Sequence, residues 1–247
     1  MSYKYAIHRV NYEDFSSGRV LYNQRGATAF PVRLASEIYQ RCRAFLTTLG
    51  LETGYTLYDP LCGGAYLLTV IGFLHGTDLV RIVGSDIDPE VLALAKRNLT
   101  LLTPEGLKGR LAELELLWQQ YHKTSHAEAM ASAIRLLEEL AGRSPIATQV
   151  FCADATHGEQ LIAQVEGVNL VITDLPYGGL VDWHLTPDSS SQAPEHQLLS
   201  ALKPTLTEPA VVAIVAPKKV RINHPAYRRV QRFSIGKREI TLWTQTD

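Results

Sequence analysis

The sequence predicts an α/β fold in which helices cover both faces of a mostly parallel sheet. Apolar, strand-like runs alternate with amphipathic, helix-like stretches along most of the 247 residues, and repeated β–α units of this kind form parallel sheets. Two β-rich runs meet at Ile235-Gly236-Lys237, which indicates an antiparallel hairpin at the end of the sheet. A hydrophobic content of 46% can supply the core, and we expect residues 1–247 to form one domain.

The first elements follow in a regular order. Residues 1–50 form an N-terminal extension whose second part, Pro31–Leu49, has the pattern of a helix. The strand YTLYD then leads into the turn DPLCGGA, and a helix starts at about Ala65. The strand VRIVGS is followed directly by Asp86, and Asp88 followed by proline predicts the start of the next helix.

Residues 103–142 interrupt the alternation with a predicted helical hairpin. Apolar residues recur at heptad-like spacing in both helices, which indicates that the helices pack on each other and on the domain. Ser125 and Glu128 form a predicted capping box for the second helix. The apolar positions are Leu107, Leu111, Leu114, Trp118 and Tyr121 in the first helix and Met130, Ile134, Leu137 and Ala141 in the second.

Three more strands and a long loop complete the predicted sheet. The strands TQVFCADA, VNLVITD and AVVAIVAP precede the C-terminal hairpin of residues 217–247. Residues 178–196 are polar and too numerous for a simple connection, so we expect a functional loop or lid there.

Charge is distributed unevenly along the chain. The net charge of −1 gives no sign of a polyanionic partner for the chain as a whole. No Asp or Glu occurs from 217 to 238, however, and this interval is rich in lysine and arginine. We therefore expect an anion-binding face, with these candidates for contacting nucleic acid: Lys218, Lys219 and Arg221.

Several classes of protein are disfavoured. No apolar run approaches the ~20 residues that span a bilayer, and the N-terminus lacks the apolar segment of a secretory signal. The three cysteines form no Cys-x-x-Cys pair, so we expect neither a disulfide framework nor a zinc site. We expect a cytoplasmic, monomeric protein without metal.

Four acidic residues end successive predicted strands: Asp59, Asp86, Asp154 and Asp174. Each alone could be an ordinary turn residue. Because ligands of open α/β sheets bind beyond the carboxyl ends of the strands, the four together predict one ligand-binding crevice.

The dinucleotide fingerprint G-x-G-x-x-G is absent, and a carboxylate beside the glycine turn disfavours a pyrophosphate. The carboxylate of Asp59 in that position suits the ammonium group of an amino-acid cofactor. A dehydrogenase is therefore the weakest interpretation.

Four motifs occur in the order YDPLCGGAYLL, GSDIDP, CADA and TDLPYG. They resemble the cofactor motifs and the [Asn/Asp]-Pro-Pro-Tyr motif of class I amino-methyltransferases. The resemblance implies a Rossmann-like fold with a seven-stranded sheet, and S-adenosyl-L-methionine as cofactor. The implied cofactor contacts are Asp59 at the methionine end, Cys62, Gly63 and Gly64 behind the cofactor, Asp86 at the ribose and Asp154 at the adenine amino group. The chain departs from the pattern at Ala65, where a glycine is usual, and at Leu175, where the first proline is usual.

A closer likeness extends along most of the chain. The segments AFPVRLASEIYQR, DPLCGGAYLLTV, RNLTLLTPEGL and ITDLPYG resemble the avilamycin-resistance 23S rRNA methyltransferases. This resemblance implies methylation of a base nitrogen of a guanosine in large-subunit rRNA, with rRNA or the large ribosomal subunit as partner. Arg33 in this likeness is a candidate for contacting a cofactor carboxylate or a phosphate.

The segment from Asp174 to Tyr177 is the predicted catalytic motif. An exocyclic amine on a nucleobase, with a lone pair delocalised into the ring, needs exact positioning and acceptors for its hydrogens as positive charge develops. The hypothesis is that Asp174 and the Leu175 carbonyl provide the acceptors, that Pro176 fixes the turn, and that Tyr177 stacks on the base.

Other substrates fit the same motif. DNA adenine, another RNA and a protein glutamine also present planar amines. A non-catalytic RNA-binding domain on the same fold is a further alternative, and a cofactor titration discriminates it from an enzyme.

Overall fold

Seven strands and seven α-helices make up the part of the chain that the structure describes. This computed structural model describes residues 3–16, 18–23, 26, 28–176 and 193–246. The strands are β1 Tyr55–Asp59, β2 Leu79–Asp86, β3 Ala147–Cys152, β4 Val168–Asp174, β5 Leu206–Pro217, β6 Tyr227–Ile235 and β7 Arg238–Gln245. The α-helices are α1 Val32–Thr48, α2 Tyr66–His75, α3 Pro89–Thr100, α4 Pro104–Tyr121, α5 Thr124–Leu140, α6 Gly158–Ile162 and α7 Pro194–Leu202. Short 3-10 turns cover Glu13–Phe15, Gly76–Asp78 and Lys203–Thr205.

The strands form one sheet in the order β3-β2-β1-β4-β5-β7-β6. Strands β1 to β5 pair in parallel, whereas β7 pairs antiparallel with both β5 and β6. The predicted α/β fold with a mostly parallel seven-stranded sheet and an antiparallel C-terminal hairpin is confirmed. The order reverses between β1 and β4, and crevices for ligands open at such switch points.

The central strands are buried on both faces. Every residue of β1 is buried, and neighbouring residues point to opposite sides. Leu57 and Leu170 belong to the core cluster on one face, and Tyr58 and Val171 belong to the cluster on the other. Helices on both faces therefore hold β1 and β4 rigidly, which fixes the positions of the residues at their ends.

A buried carboxylate anchors the N-terminal extension to α1. Glu37 is fully buried and accepts hydrogen bonds from the backbone N–H groups of Lys4, Tyr5 and Ala6 at 2.7–2.8 Å. Arg33 donates to the carbonyl oxygens of Ala6 and Ile7 at 2.7 and 2.8 Å. The candidate role of Arg33 at a cofactor or phosphate is therefore not supported, because its guanidinium binds the chain's own N-terminal segment.

The predicted hairpin between β2 and β3 is present as α4 and α5, but its packing differs from the prediction. Leu107 and Leu114 are buried, whereas Trp118 and Tyr121 are exposed. In α5 the apolar stripe is out of phase with the predicted one, since Ile134 is exposed. The α5 residues that are buried are Ala129, Ser132, Ala133, Leu136 and Leu140.

The predicted capping box of α5 is wrong. The helix begins at Thr124, so Ser125 lies inside it, and no side chain caps its first turn. Glu128 instead pairs with Arg19 of the N-terminal extension at 2.7 Å. A long-range ion pair thus takes the place of the local capping hydrogen bonds that the spacing suggested.

The junction of α3 and α4 depends on one glycine. A Cβ atom at Gly106 would lie 2.0 Å from the carbonyl oxygen of Thr100, whereas a Cβ at Gly109 of the same helix would meet nothing within 4 Å. We expect Gly106→Ala to lower the free energy of unfolding by about 3 kcal/mol, because two backbone segments must separate. Gly109→Ala should raise it by about 0.5–1 kcal/mol, since alanine loses less backbone entropy in a helix. Urea denaturation of the two variants measures both changes, and equal stability would contradict the close approach.

Part of the predicted loop at 178–196 lies outside the described residues. Helix α7 begins at Pro194, so the last residues of that segment belong to a helix. A search of the described residues finds no helix that is long and apolar enough to cross a membrane.

Candidate active site

The structure places the four predicted carboxylates at the same edge of the sheet. Asp59 and Asp86 are the last residues of β1 and β2, and Asp174 is the last residue of β4. Asp154 follows β3 by two residues. Because β1 to β4 are parallel, all four lie at the carboxyl edge, and Asp59 and Asp174 flank the switch point.

Asp59 lies in the deepest part of this edge. It is 3% exposed and accepts a hydrogen bond from the backbone N–H of Leu61 at 3.1 Å. Burial raises the pKa of Asp59 to about 7, and the negative charges of Asp86 and Asp174 act in the same direction. Three carboxylates therefore interact electrostatically, and a cationic ligand group would relieve their repulsion.

The loop after β1 is held against the end of β2. The N–H of Cys62 donates to the carbonyl oxygen of Ser85 at 2.9 Å, and the N–H of Gly63 donates to the carboxylate of Asp86 at 2.8 Å. Burial, together with the charges of Asp59 and Asp86, raises the pKa of the Cys62 thiol. The thiol stays protonated at neutral pH, which suits a packing residue rather than a nucleophile.

Two residues of this loop have left-handed backbone conformations. Gly63 has φ 49°, and Ala65 has φ 55° and ψ 28°. The glycine expected at position 65 is thus replaced by an alanine in the conformation that glycine adopts most readily, at a cost of roughly 1–2 kcal/mol. The departure from the motif leaves the turn geometry in place.

Gly84 of β2 lets the loop approach the sheet. A Cβ at this position would lie 2.8 Å from the Sγ of Cys62, so any larger residue would push the loop outward. Gly84 pairs with Asp59 across the strands, which places this close contact directly behind the deepest carboxylate.

The outer two carboxylates bind their own turns. The second oxygen of Asp86 accepts from the N–H of Asp88 at 3.1 Å. Asp154 accepts from the N–H and hydroxyl of Thr156 at 2.8 and 2.7 Å and lies 3.0 Å from the Nδ1 of His157. Turn formation is therefore one role of both residues.

The described part of the predicted catalytic motif follows β4 directly. Asp174 is half-buried and stands opposite Val215 of β5, and the N–H of Leu175 donates to the Val215 carbonyl at 3.0 Å. Leu175 is buried, which fixes the turn, and Pro176 is half-buried. Tyr177, the predicted stacking residue, lies outside the described residues.

A family model described as rRNA methyltransferase AviRa matches residues 1–238. This chain belongs to the AviRa family. The predicted family is confirmed, and with it the assignment as an rRNA methyltransferase.

Individual members of the AviRa family match this chain over nearly its whole length. The 23S rRNA (guanine(2535)-N(1))-methyltransferase of Streptomyces viridochromogenes is 38% identical over 251 residues, covering 100% of this chain and 97% of the relative. Two solved structures of the rRNA methyltransferase aviRa from Streptomyces viridochromogenes are 35% identical, cover 99% of this chain and 96% of theirs, and have TM-scores of 0.85 and 0.87. TrmN from Thermus thermophilus, 14% identical with a TM-score of 0.53 over 90% of this chain and 51% of its own, shares the fold alone.

Sequence analysis missed one buried residue of this AviRa-family site. Asn98 of α3 is fully buried. Its amide donates to the carbonyl oxygens of Gly64 and Tyr22 at 2.8 and 3.1 Å and accepts from the N–H of Tyr22 at 2.8 Å. It therefore links the cofactor-type loop to the N-terminal extension. The sequence did contain a signal for this role: an asparagine on the inward face of an amphipathic helix must find hydrogen-bond partners when it is buried.

The predicted basic candidates lie beside the site of this AviRa-family chain. Lys218, Lys219 and Arg221 are exposed and follow the end of β5. Lys218 is three residues beyond Val215, the partner of Asp174, which is about 10 Å along an extended chain. Two other cations of the acid-free interval are engaged within the protein: Arg232 pairs with Glu239 at 2.6 Å, and Arg238 lies over the ring of Phe30.

The described residues include no candidate metal-binding site. Within those residues, no group of three or more His, Cys, Asp or Glu side chains is arranged to hold a metal ion.

Proposed function

We propose that this protein uses S-adenosylmethionine to methylate N1 of a guanosine in 23S rRNA. The observation that carries the proposal is the convergence of Asp59, Asp86 and Asp174 at the carboxyl edge of an AviRa-family sheet. The printed activity of the 38% identical relative supports the guanine N1 atom and the 23S rRNA substrate. A substrate of this kind also implies a cytoplasmic site of action.

The residues present fit a cationic amino-acid cofactor. A buried carboxylate with a pKa of about 7, repelled by two others, is matched by a ligand that carries positive charge. An anionic dinucleotide would add to the repulsion. Asp59 would hold the ammonium group, Asp86 the ribose hydroxyls and Asp154 the adenine amino group, and the loop of Cys62, Gly63 and Gly64 would pack behind them. When bound, S-adenosylmethionine supplies the activated methyl group.

The chain's own residues act on the base. The Watson–Crick edge of guanine presents two adjacent donors, N1–H and N2–H. The Asp174 carboxylate and the Leu175 carbonyl are two adjacent acceptors at the end of β4, and they match this pair. As the new N1–C bond forms, the N1 proton leaves to the Asp174 carboxylate, which keeps the base from accumulating positive charge. Pro176 restricts the turn, and Tyr177 stacks on the base that is taken out of its RNA helix.

The basic turn formed by Lys218, Lys219 and Arg221 would bind RNA phosphates next to the reacting base. We expect the triple variant K218Q/K219Q/R221Q to weaken rRNA binding in 100 mM salt and to lower the slope of log K against log salt by about 2–3, since each phosphate contact releases counterions. The affinity for S-adenosylmethionine should not change.

Filter binding between 50 and 300 mM KCl measures that slope. The matched control is K108Q, because Lys108 is an exposed cation on α4 outside the basic turn. An unchanged slope for the triple variant would contradict the proposed contact.

The function is tested by mapping the methylated nucleoside. The protein is incubated with labelled S-adenosylmethionine and, in parallel, deproteinised 23S rRNA, large ribosomal subunits, tRNA and duplex DNA. The proposal predicts label in 23S rRNA alone, recovered as 1-methylguanosine by mass spectrometry. Label in DNA adenine or in tRNA, or cofactor binding without transfer to any substrate, would refute it.

A further inference from the structure

We propose that the tip of the helical hairpin, residues 116–127, is a second RNA-contact surface of this enzyme. The inference rests on the proposed rRNA substrate and assigns to the hairpin the docking of nucleotides away from the reacting base. The spacing of apolar residues predicted that Trp118 and Tyr121 are buried against the domain, whereas the structure leaves both exposed.

The tip exposes large aromatic side chains. Trp118 is 41% exposed and Tyr121 is 52% exposed, although Leu114, one turn before Trp118 in α4, is buried. An indole and a phenol ring left in water cost hydrophobic free energy, and exposed aromatic groups of this kind mark binding surfaces. The rings offer flat faces on which unpaired bases stack.

Two histidines and a lysine lie beside these rings. His122 meets Trp118 edge-on at 5.5 Å, His126 meets Tyr121 at 6.2 Å, and the Nζ of Lys123 lies 5.6 Å from the centre of the Tyr121 ring. No Asp or Glu occurs from 116 to 127. The acid that follows, Glu128, is paired with Arg19. Aromatic faces beside the Lys123 cation fit a polyanion with stacking bases rather than an apolar protein surface.

Topology directs the tip to the side of the sheet that carries the four carboxylates. Helix α3 starts at the carboxyl edge, three residues after Asp86, and runs to the opposite edge. The start of α4 touches the end of α3 at Gly106 and Thr100, and Arg97 pairs with Glu113 at 3.0 Å. Helix α4 therefore runs antiparallel to α3. The eight residues from Glu113 to Tyr121 rise by about 12 Å, as do the eight from Arg97 back to the start of α3.

The second helix confirms this direction. Helix α5 returns the chain to the opposite edge, because Arg143 donates to the carbonyl of Phe73 near the end of α2 at 2.6 Å, and β3 starts there. The tip between α4 and α5 thus reaches the level of the carboxyl edge on the β3 side of the sheet. The basic turn lies on the β5 side of the same edge, so an RNA that contacts both would pass over Asp174.

The test uses two exposed residues of the tip and one exposed residue of the same hairpin as control. We expect Trp118→Ala and Tyr121→Ala each to raise the KM for 23S rRNA on the order of tenfold, with kcat and the affinity for S-adenosylmethionine unchanged. Ile134→Ala, 45% exposed and ten residues into α5, should leave all three constants as in the wild type. Equilibrium binding of the same rRNA without cofactor should show the same pattern.

The possible results test the RNA contact of the hairpin tip separately from the proposed function. Wild-type rRNA methylation with tip variants equal to Ile134→Ala would overturn the inference and leave the function standing. Binding of rRNA that depends on Trp118 and Tyr121 but gives no methylated guanosine would support the inference and refute the function. A defect that appears with large subunits and is absent with deproteinised rRNA would identify a ribosomal protein as the partner and overturn the inference.

Discussion

Asp174→Ala should lower the rate of methyl transfer by a factor of about 10²–10⁴ and leave the affinity for S-adenosylmethionine nearly unchanged. The carboxylate stands at the switch point beside the buried Asp59, and in the proposed mechanism it acts on the base and not on the cofactor. Its removal takes away an acceptor for the guanine N1 proton. Single-turnover transfer to 23S rRNA and calorimetric titration of the cofactor measure the two quantities separately.

A second substitution at the same position separates two roles of the carboxylate. Asp174→Asn keeps an acceptor oxygen but takes up no proton. Because N1 of guanine must lose its proton, we expect this variant to be as impaired as Asp174→Ala. The control is Asp88→Asn, which removes an exposed negative charge at the same edge of the sheet, at the cap of α3, and should retain the wild-type rate. Full activity of either Asp174 variant would show that this residue does not carry the chemistry.

Asp59→Asn should stabilise the free protein and abolish its cofactor binding at the same time. In the unfolded chain the carboxyl has a pKa of about 3.9, and in the folded protein burial raises it to about 7. Above pH 7 the folded protein must hold a buried negative charge that the unfolded chain keeps in water. The destabilisation reaches about 2–4 kcal/mol, and asparagine removes it while its side-chain oxygen still accepts from Leu61.

The pH dependence identifies the cause of that stabilisation. The folded-state pKa is raised, so the wild type loses stability as pH rises from about 4 to about 7. The gain of Asp59→Asn should therefore be full above pH 7, shrink as pH falls and vanish near pH 4. Urea denaturation at several pH values measures it, and a gain that is independent of pH would contradict the assignment.

Cofactor affinity should change in the opposite direction. Loss of the charge opposite a buried ammonium group should weaken binding of S-adenosylmethionine by about 3–5 kcal/mol. In the wild type, affinity should fall below about pH 7 as Asp59 becomes protonated. Titration calorimetry at pH 6 and pH 8 measures both effects.

Local patterns were sufficient for the sheet and for the places where its strands end. The strand VNLVITD is buried on both faces and stops at an acid, so both its element type and the position of Asp174 at its end could be predicted. The αL conformation of Ala65 could not, because alanine seldom adopts it, and it depends on the hydrogen bonds that tie the loop to β2.

Features that depend on distant contacts were mispredicted or missed. The capping box failed because Glu128 has a partner 109 residues away. Burial of Trp118 and Tyr121 was expected from spacing, but spacing shows only which side chains share a helix face and not where the neighbouring element ends. The roles of Asn98 and Gly84 are contacts between separate segments, which no local pattern encodes.

The most direct test of the account is a crystal structure of the protein with S-adenosylhomocysteine. The account predicts the amino group of the ligand at Asp59, its ribose hydroxyls at Asp86, and its sulfur facing the Asp174 carboxylate across a space that admits a base. A ligand bound elsewhere, or bound at this edge with its sulfur directed away from Asp174, would contradict the convergence of these carboxylates on one reaction centre.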